Sequence, residues 1–280
     1  MNKQILKENN FKFNKAYGQN FIFDKNFLQS IVEMVATPTD EVLEIGAGAG
    51  TLTSMLASHS KKVVSFEIDK NLQPILKETL KDYNNCQVIF QDIMKVSIEE
   101  IESHFEDKYI MVANLPYYIT TPILFKFLEN SKKLKSMAIM VQLEVAQRLT
   151  AKSNTKEYGA ITPAIDYRAN AKIIKKVSRN MFTPVPNVDS AIVKIDFVEN
   201  KYNILDTKIL DNTIKSAFAM RRKTIANNLK TTFGLSQEQI QLICSNIGIA
   251  PTTRGETLDT QAFVNLSNEI TKLKSRIKNH

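Results

Sequence analysis

Two periodicities divide the chain. Through roughly residues 1–200, short β-branched apolar runs alternate with stretches in which apolar residues return every three or four positions. The runs Glu41–Ile45 (EVLEI), Lys62–Ile68 (KVVSFEI), Gln87–Phe90 (QVIF), Tyr109–Ala113 (YIMVA) and Met137–Val141 (MAIMV) predict strands. Between them Asn26–Val35, Leu72–Leu80 and Pro122–Leu128 carry the helical period. This alternation predicts an α/β fold, a mostly parallel sheet covered by helices on both faces. Lys172–Val177 and Ser190–Phe197 bring the strands to seven, and the absence of a crossover helix between them predicts an antiparallel edge. Beyond about residue 200 the strand signal stops. Asp206–Met220, Lys223–Phe233, Ser236–Asn246 and Asp259–Ile277 read as helices, with Gly234-Leu235-Ser236 as a stop followed by an N-cap. A larger α/β domain over 1–200 and a smaller all-helical domain over 201–280 are therefore expected.

Composition narrows the class. With 43% hydrophobic and 24% charged residues in 280, the chain can bury a core and does not read as disordered. No run approaches the ~18–20 apolar residues that span a bilayer. The start, MNKQILKENNFKFNK, lacks the apolar centre of a signal peptide. Cys86 and Cys244 stand far apart in no metal-ligand spacing. The expectation is a soluble cytoplasmic protein with no metal and no membrane association. The net charge of +8 is unevenly spread. Residues 1–30 hold five lysines against two acids, residues 206–280 hold 11 cations against six acids, and residues 31–205 hold 21 of each. A neutral body with basic ends points to an anionic partner.

Glu44-Ile45-Gly46-Ala47-Gly48-Ala49-Gly50 joins the first long strand to a helix beginning near Thr51. Glycines at a strand-to-helix turn let a ligand approach the backbone closely. Glu67 ends the second strand, 21 residues past Gly46, where a carboxylate can accept bonds from ribose hydroxyls. Asp92 follows the third strand and could meet an exocyclic adenine amine. Gly46, Gly48, Glu67 and Asp92 together favour an adenosine-containing cofactor. They leave NAD and S-adenosylmethionine both open, although GxGxG is not the dinucleotide spacing.

The fourth strand ends in Asn114-Leu115-Pro116-Tyr117, followed by Tyr118-Ile119-Thr120-Thr121-Pro122. This resembles the Asn/Asp-Pro-Pro-Tyr signature of methyltransferases that modify planar amino groups. The lone pair of such an amine is delocalised into its ring. Two acceptors on its N–H bonds, the Asn114 side-chain oxygen and the Leu115 carbonyl, would localise that lone pair on nitrogen. Pro116 stiffens the turn and keeps Leu115 out of the helical region. Tyr117 would stack on the base, and Phe182, at the foot of the two-proline loop Phe182–Ser190, could sandwich it. The plainer alternative for Phe182 is a buried anchor. Asp24 reads as an N-cap, and Tyr17–Phe23 before it could fold over the cofactor. Arg221-Arg222-Lys223 and Lys230 suit a phosphate backbone, with a solvated charged face as the alternative.

Taken together, GQNFIFD, EIGAGAG, Glu67, Asp92, NLPYYITTP, FTPVPNVDSAIV and RRKTIANNLK resemble the ribosomal RNA adenine dimethyltransferases of the KsgA (RsmA) type over nearly the whole chain. The resemblance implies a Rossmann-like class I methyltransferase domain, with residues 1–24 over the cofactor site, and a helical rRNA-binding domain. By position, Asn20, Ile22, Gly46, Glu67, Asp92 and Asn114 would contact S-adenosylmethionine, and Asn114, Leu115, Pro116, Tyr117 and Phe182 would form the adenine pocket. Tyr118 stands where many members have Asn. The family dimethylates N6 of two adjacent adenosines in the 3′-terminal hairpin of 16S rRNA, on a late precursor of the small subunit, and a monomer is expected. Two alternatives are the 23S rRNA methyltransferases of the macrolide-resistance type and a non-catalytic rRNA-binding assembly factor.

Overall fold

The computed structural model describes residues 2–9, 11–14, 17–116, 119–220 and 222–278. The chain forms two compact units. The first comprises residues 1–146 and 172–197, and the second comprises residues 147–171 and 198–280.

The first unit is built on a seven-stranded sheet. Its strands are β2 (Glu41–Ile45), β3 (Lys62–Phe66), β4 (Cys86–Ile89), β5 (Tyr109–Asn114), β6 (Leu134–Gln142), β7 (Ala169–Val177) and β9 (Ser190–Phe197), in the order β4-β3-β2-β5-β6-β9-β7. Pairings from β4 to β6 are parallel, β6 pairs β9 antiparallel, and β9 and β7, the two strands expected at an edge, are neighbours there. All five residues of β2 are buried, Glu41 and Glu44 among them, so the strand has no solvent-facing side. Helices α2 (Lys25–Val35), α3 (Thr51–His59), α4 (Gln73–Thr79), α5 (Ile98–Glu102) and α6 (Thr120–Asn130) cross between strands. Asp24 caps α2 by accepting the Phe27 N–H at 2.9 Å.

Register positions the site. Ile45 lies opposite Phe66 on one side and Ala113 on the other. The next residue of each strand path is therefore Gly46, Glu67 and Asn114, side by side at the carboxyl ends of the three central strands, where open α/β sheets bind ligands.

Two elements have no local signal in the sequence. α1 (Asn2–Glu8) brings Ile5 and Leu6 into a cluster with Leu72, Ile75 and Leu76. β1 (Phe21–Ile22) pairs antiparallel with β8 (Phe182–Thr183), with Ile22 opposite Phe182.

The second unit is helical. α9 (Thr207–Ala219), α10 (Ile225–Phe233), α11 (Gln237–Asn246) and α12 (Thr260–Lys278) surround Leu210, Ile214, Leu229, Ile240, Phe263 and Ile270. Ser236 begins α11 with a complete capping box. Residues 147–171, expected in the α/β domain, cluster here with α7 (Leu143–Leu149) at their start and α8 (Ile161–Asp166) within them. Directional bonds explain this division. Arg168 grips Asp211 through both guanidinium ends at 3.1 and 2.8 Å, and the Tyr158 hydroxyl donates to the Leu258 carbonyl at 2.8 Å. These partners lie 43 and 100 residues apart, beyond any local pattern.

Candidate active site

A cleft open to solvent lies over the carboxyl ends of the central strands. Asn20, Ile22, Gly46, Gly48, Glu67, Asp92, Asn114, Leu115 and Pro116 all line it. The structure thus brings together the cofactor-side and amine-side residues singled out in the sequence. Tyr117, Tyr118 and Arg221 lie outside the described residues.

The glycine turn is held open by its backbone. Gly46, Gly48 and Gly50 have φ of +85°, +54° and +77°, the left-handed region that disfavours a side chain. A Cβ at Gly48 would also come within 3.0 Å of the Phe21 ring. Glu67 closes this turn. One carboxylate oxygen accepts the Gly48 N–H at 2.9 Å and the other the Asp69 N–H at 2.8 Å. Burial raises its pKa above the ordinary value, while the N–H donors act to lower it. These N–H groups take only part of the carboxylate's acceptor capacity, so it can still receive ribose hydroxyls. Asp92, half-buried, accepts the Met94 N–H at 3.0 Å and lies just beyond β4. Ile68, Ile93 and Met140 give the cleft apolar walls. A buried hydroxyl-accepting carboxylate, a side-chain-free backbone approach and apolar walls fit S-adenosylmethionine.

On the amine side, Asn114 Nδ2 donates to the Asn20 carbonyl at 2.9 Å. Only the NH₂ of the amide can serve a carbonyl, so this bond fixes its orientation and makes Oδ1 the acceptor. Leu115 is 1% exposed, and its N–H reaches the Met140 carbonyl at 3.3 Å. The Pro116 carbonyl is occupied by the Ile119 N–H and the Thr120 hydroxyl. Among the described residues no donor engages the Leu115 carbonyl.

Phe182 is placed differently from the base-stacking expectation. Its ring is 2% exposed, does not line the cleft, and packs with Ile22, Leu28, Met140 and Ile192. It is the buried anchor of the β1–β8 pair. The basic run is also displaced. Thr224 caps α10 by accepting the Asn227 N–H, so the helix starts at Ile225, and Arg222 and Lys223 stand in the turn before it. Arg222, Lys223 and Lys230 are exposed, and among the described residues no carboxylate pairs with them.

Sequence reasoning passed over several groups. Gln19 lines the cleft, and Asp69, two residues past Glu67, is 2% exposed and bonded to Gln19. The Glu67-x-Asp69 pair of carboxylates at a strand end was the available signal. Lys126 of α6 donates to the Ile93, Met94 and Val96 carbonyls and so braces the turn after Asp92. Glu44, beneath the glycine turn, is fully buried and accepts the Thr53 hydroxyl at 2.7 Å.

Burial pushes the Glu44 pKa from 4.5 up to about 7. The folded chain therefore holds this proton over a range where the unfolded chain has lost it. Stability from this group is greatest below pH 4.5 and falls as pH rises to about 7, by roughly 3 kcal/mol. Glu44→Gln keeps an acceptor for Thr53 and cannot ionise. Thermal unfolding of the variant at pH 5 and pH 8 should show a smaller loss of midpoint than the parent, and equal losses would refute a neutral Glu44.

Comparison with known proteins places the chain in a family. The family model for ribosomal RNA adenine dimethylase matches residues 10–272. The chain is 43% identical over 268 residues to ribosomal RNA small subunit methyltransferase A of Clostridium botulinum (strain Okra / Type B1), covering 95% of this chain and 97% of that protein. It is 42% identical over 282 residues to the protein of the same name from Clostridioides difficile (strain 630), covering 98% and 96%. A solved dimethyladenosine transferase from Plasmodium falciparum superposes with a TM-score of 0.74 at 26% identity, over 90% of this chain and 98% of that one. The 23S rRNA methyltransferase ErmE shares the fold, with a TM-score of 0.69 at 23% identity. The chain belongs to the ribosomal RNA adenine dimethylase family, the S-adenosylmethionine-dependent rRNA adenine dimethyltransferases.

Proposed function

We propose that the chain dimethylates N6 of adenines in the 16S rRNA of the small ribosomal subunit, acting as a monomer on the two adjacent adenosines of the 3′-terminal hairpin late in subunit assembly. The single observation that carries the chemistry is the Asn114 amide at the end of β5, whose NH₂ is anchored on the Asn20 carbonyl while Asn114 and Leu115 both line the cleft. S-adenosylmethionine, when bound, supplies an electrophilic methyl on a sulfonium.

The chain's own residues do the rest by positioning and electrostatics. Asn114 Oδ1 and the Leu115 carbonyl accept the two N–H bonds of the adenine amine and concentrate its lone pair on nitrogen. As the methyl leaves the sulfonium for nitrogen, one amine proton is released to solvent; one N–H then remains, and one acceptor suffices to hold it for the second transfer. Tyr117 stacks on the extruded base. Glu67 holds the ribose hydroxyls and Asp92 the adenine amine of the cofactor, with Asn20 and Ile22 alongside. Arg222, Lys223 and Lys230, with Arg221, take rRNA phosphates, which bind without reading sequence.

The choice of subunit rests on the two small-subunit relatives covering almost the full chain. Incubation with each purified ribosomal subunit and methyl-labelled S-adenosylmethionine tests it. Label is expected in 16S rRNA, and the affinity for the subunit should fall steeply between about 50 and 200 mM salt as phosphate contacts release counterions. Label confined to 23S rRNA would overturn the assignment.

A further inference from the structure

We propose that the hydrogen bond between Gln19 and Asp69 is a positioning latch that sets the cofactor carboxylate and the amine-accepting Asn114 in register through the N-terminal segment. The inference rests on the role given to Asn114 above.

The path is continuous. Glu67 Oε1 accepts the Asp69 N–H at 2.8 Å. Asp69 Oδ1 is tied to Asn71 through its N–H at 3.0 Å and its Nδ2 at 2.9 Å. Asp69 Oδ2 accepts Gln19 Nε2 at 2.7 Å, across 50 residues of sequence. Gln19 Oε1 in turn accepts the Asn14 N–H at 2.7 Å, which fixes which end of the amide faces Asp69. The next residue, Asn20, offers its carbonyl to Asn114 Nδ2. The orientation of the Asn114 amide is thus set by a carbonyl on a segment that Gln19 ties to the end of β3.

The segment has two other holds on the fold: the β1–β8 pairing, which fixes its backbone from Phe21 onward, and an apolar cluster of a different kind. Phe21 stacks among Phe11, Phe13 and Phe23 and covers Gly48. Apolar burial fixes how deeply a segment sits but is non-directional. A carbonyl that must aim at one amide needs a directional tie nearby, and a neutral donor on a 2%-exposed carboxylate is the stronger, charge-assisted kind. The latch therefore acts on geometry at the reacting amine more than on folding, and Gln19 and Asp69 are positioning residues that need not touch the substrate.

An exchange of donor and acceptor tests the bond. Gln19→Glu sets two carboxylates against each other, and Asp69→Asn sets two NH₂ groups against each other unless a bond to Asn71 is given up. Combining both restores one hydrogen bond with its polarity reversed. Gln19→Ala, at a half-buried site, removes the donor without adding a charge.

Each single variant should lose about tenfold in kcat, the scale of one charge-assisted hydrogen bond. KM for small ribosomal subunits should change little, and S-adenosylhomocysteine should bind more weakly by calorimetry. The double variant should recover most of both losses. Wild-type kcat in Gln19→Ala would overturn the latch, as would single losses with no recovery in the double variant. Asn114→Ala, assayed in parallel, keeps the two readings apart. Full turnover there would sink the acceptor role of Asn114, while the exchange pair still decides the latch through analogue affinity.

Discussion

Replacing Asn114 with alanine should lower kcat for methyl transfer by about 10²–10³-fold, the scale for losing one preorganised polar contact to a developing charge. The substitution removes the acceptor that holds one N–H of the target amine. It also removes the donor that ties β5 to the Asn20 carbonyl at 2.9 Å. Binding of the ribosomal subunit should survive, because the phosphate contacts proposed above fall to the exposed cations of the second unit, which this substitution leaves intact. Asn114→Asp separates the two losses. It keeps an acceptor but faces the Asn20 carbonyl with a carboxylate, so activity should return only in part. Single-turnover methylation measured beside filter binding of subunits gives both quantities. Wild-type-like turnover in the alanine variant would refute the acceptor role.

Glu67→Gln should weaken S-adenosylhomocysteine binding by about 10–100-fold, the equivalent of one buried donor left without a partner. The two carboxylate oxygens now satisfy two backbone N–H groups, those of Gly48 and Asp69. An amide has only one oxygen, so its NH₂ must face one of those donors within hydrogen-bond distance. The glycine turn and the Asp69 corner cannot both keep their bonds, and one acceptor for the ribose is lost as well. The substitution is close to isosteric and the site is 5% exposed, so the fold should persist while the ligand is lost. Calorimetric titration with a circular dichroism control checks this, and unchanged affinity would remove Glu67 from the cofactor site.

The parts of the fold that declare themselves locally were legible in the sequence. β2 and β9 coincide with their β-branched runs, β2 being buried along its whole length and β9 over most of its own. The caps Asp24, Asp206 and Ser236 mark helix starts because their side chains satisfy backbone N–H groups within three residues. The site was legible where it follows strand ends, since register alone sets Gly46, Glu67 and Asn114 side by side.

The remainder depends on pairing across distance. β1 and β8 are two residues each, 160 apart in sequence, and no periodicity exists over two residues. That pairing buries Phe182, which sequence chemistry had offered to the substrate. Residues 147–171 join the helical unit through Arg168–Asp211 and Tyr158–Leu258, bonds between segments that look unrelated in the chain. Of the basic run only Lys223 was read into a helix, on its neighbours' propensity. Thr224 takes the N-cap instead and leaves Arg222 and Lys223 ahead of it.

The central claim is that this chain places two methyl groups on one adenine nitrogen of small-subunit rRNA. Mass spectrometry of nucleosides from unmethylated small subunits, incubated with the protein and S-adenosylmethionine, measures that directly. N6,N6-dimethyladenosine is expected in the 16S rRNA, with the monomethylated base as a passing intermediate and with far less of either product for Asn114→Ala. Methylation that stops at one methyl, or that falls on a base other than adenine, would contradict it.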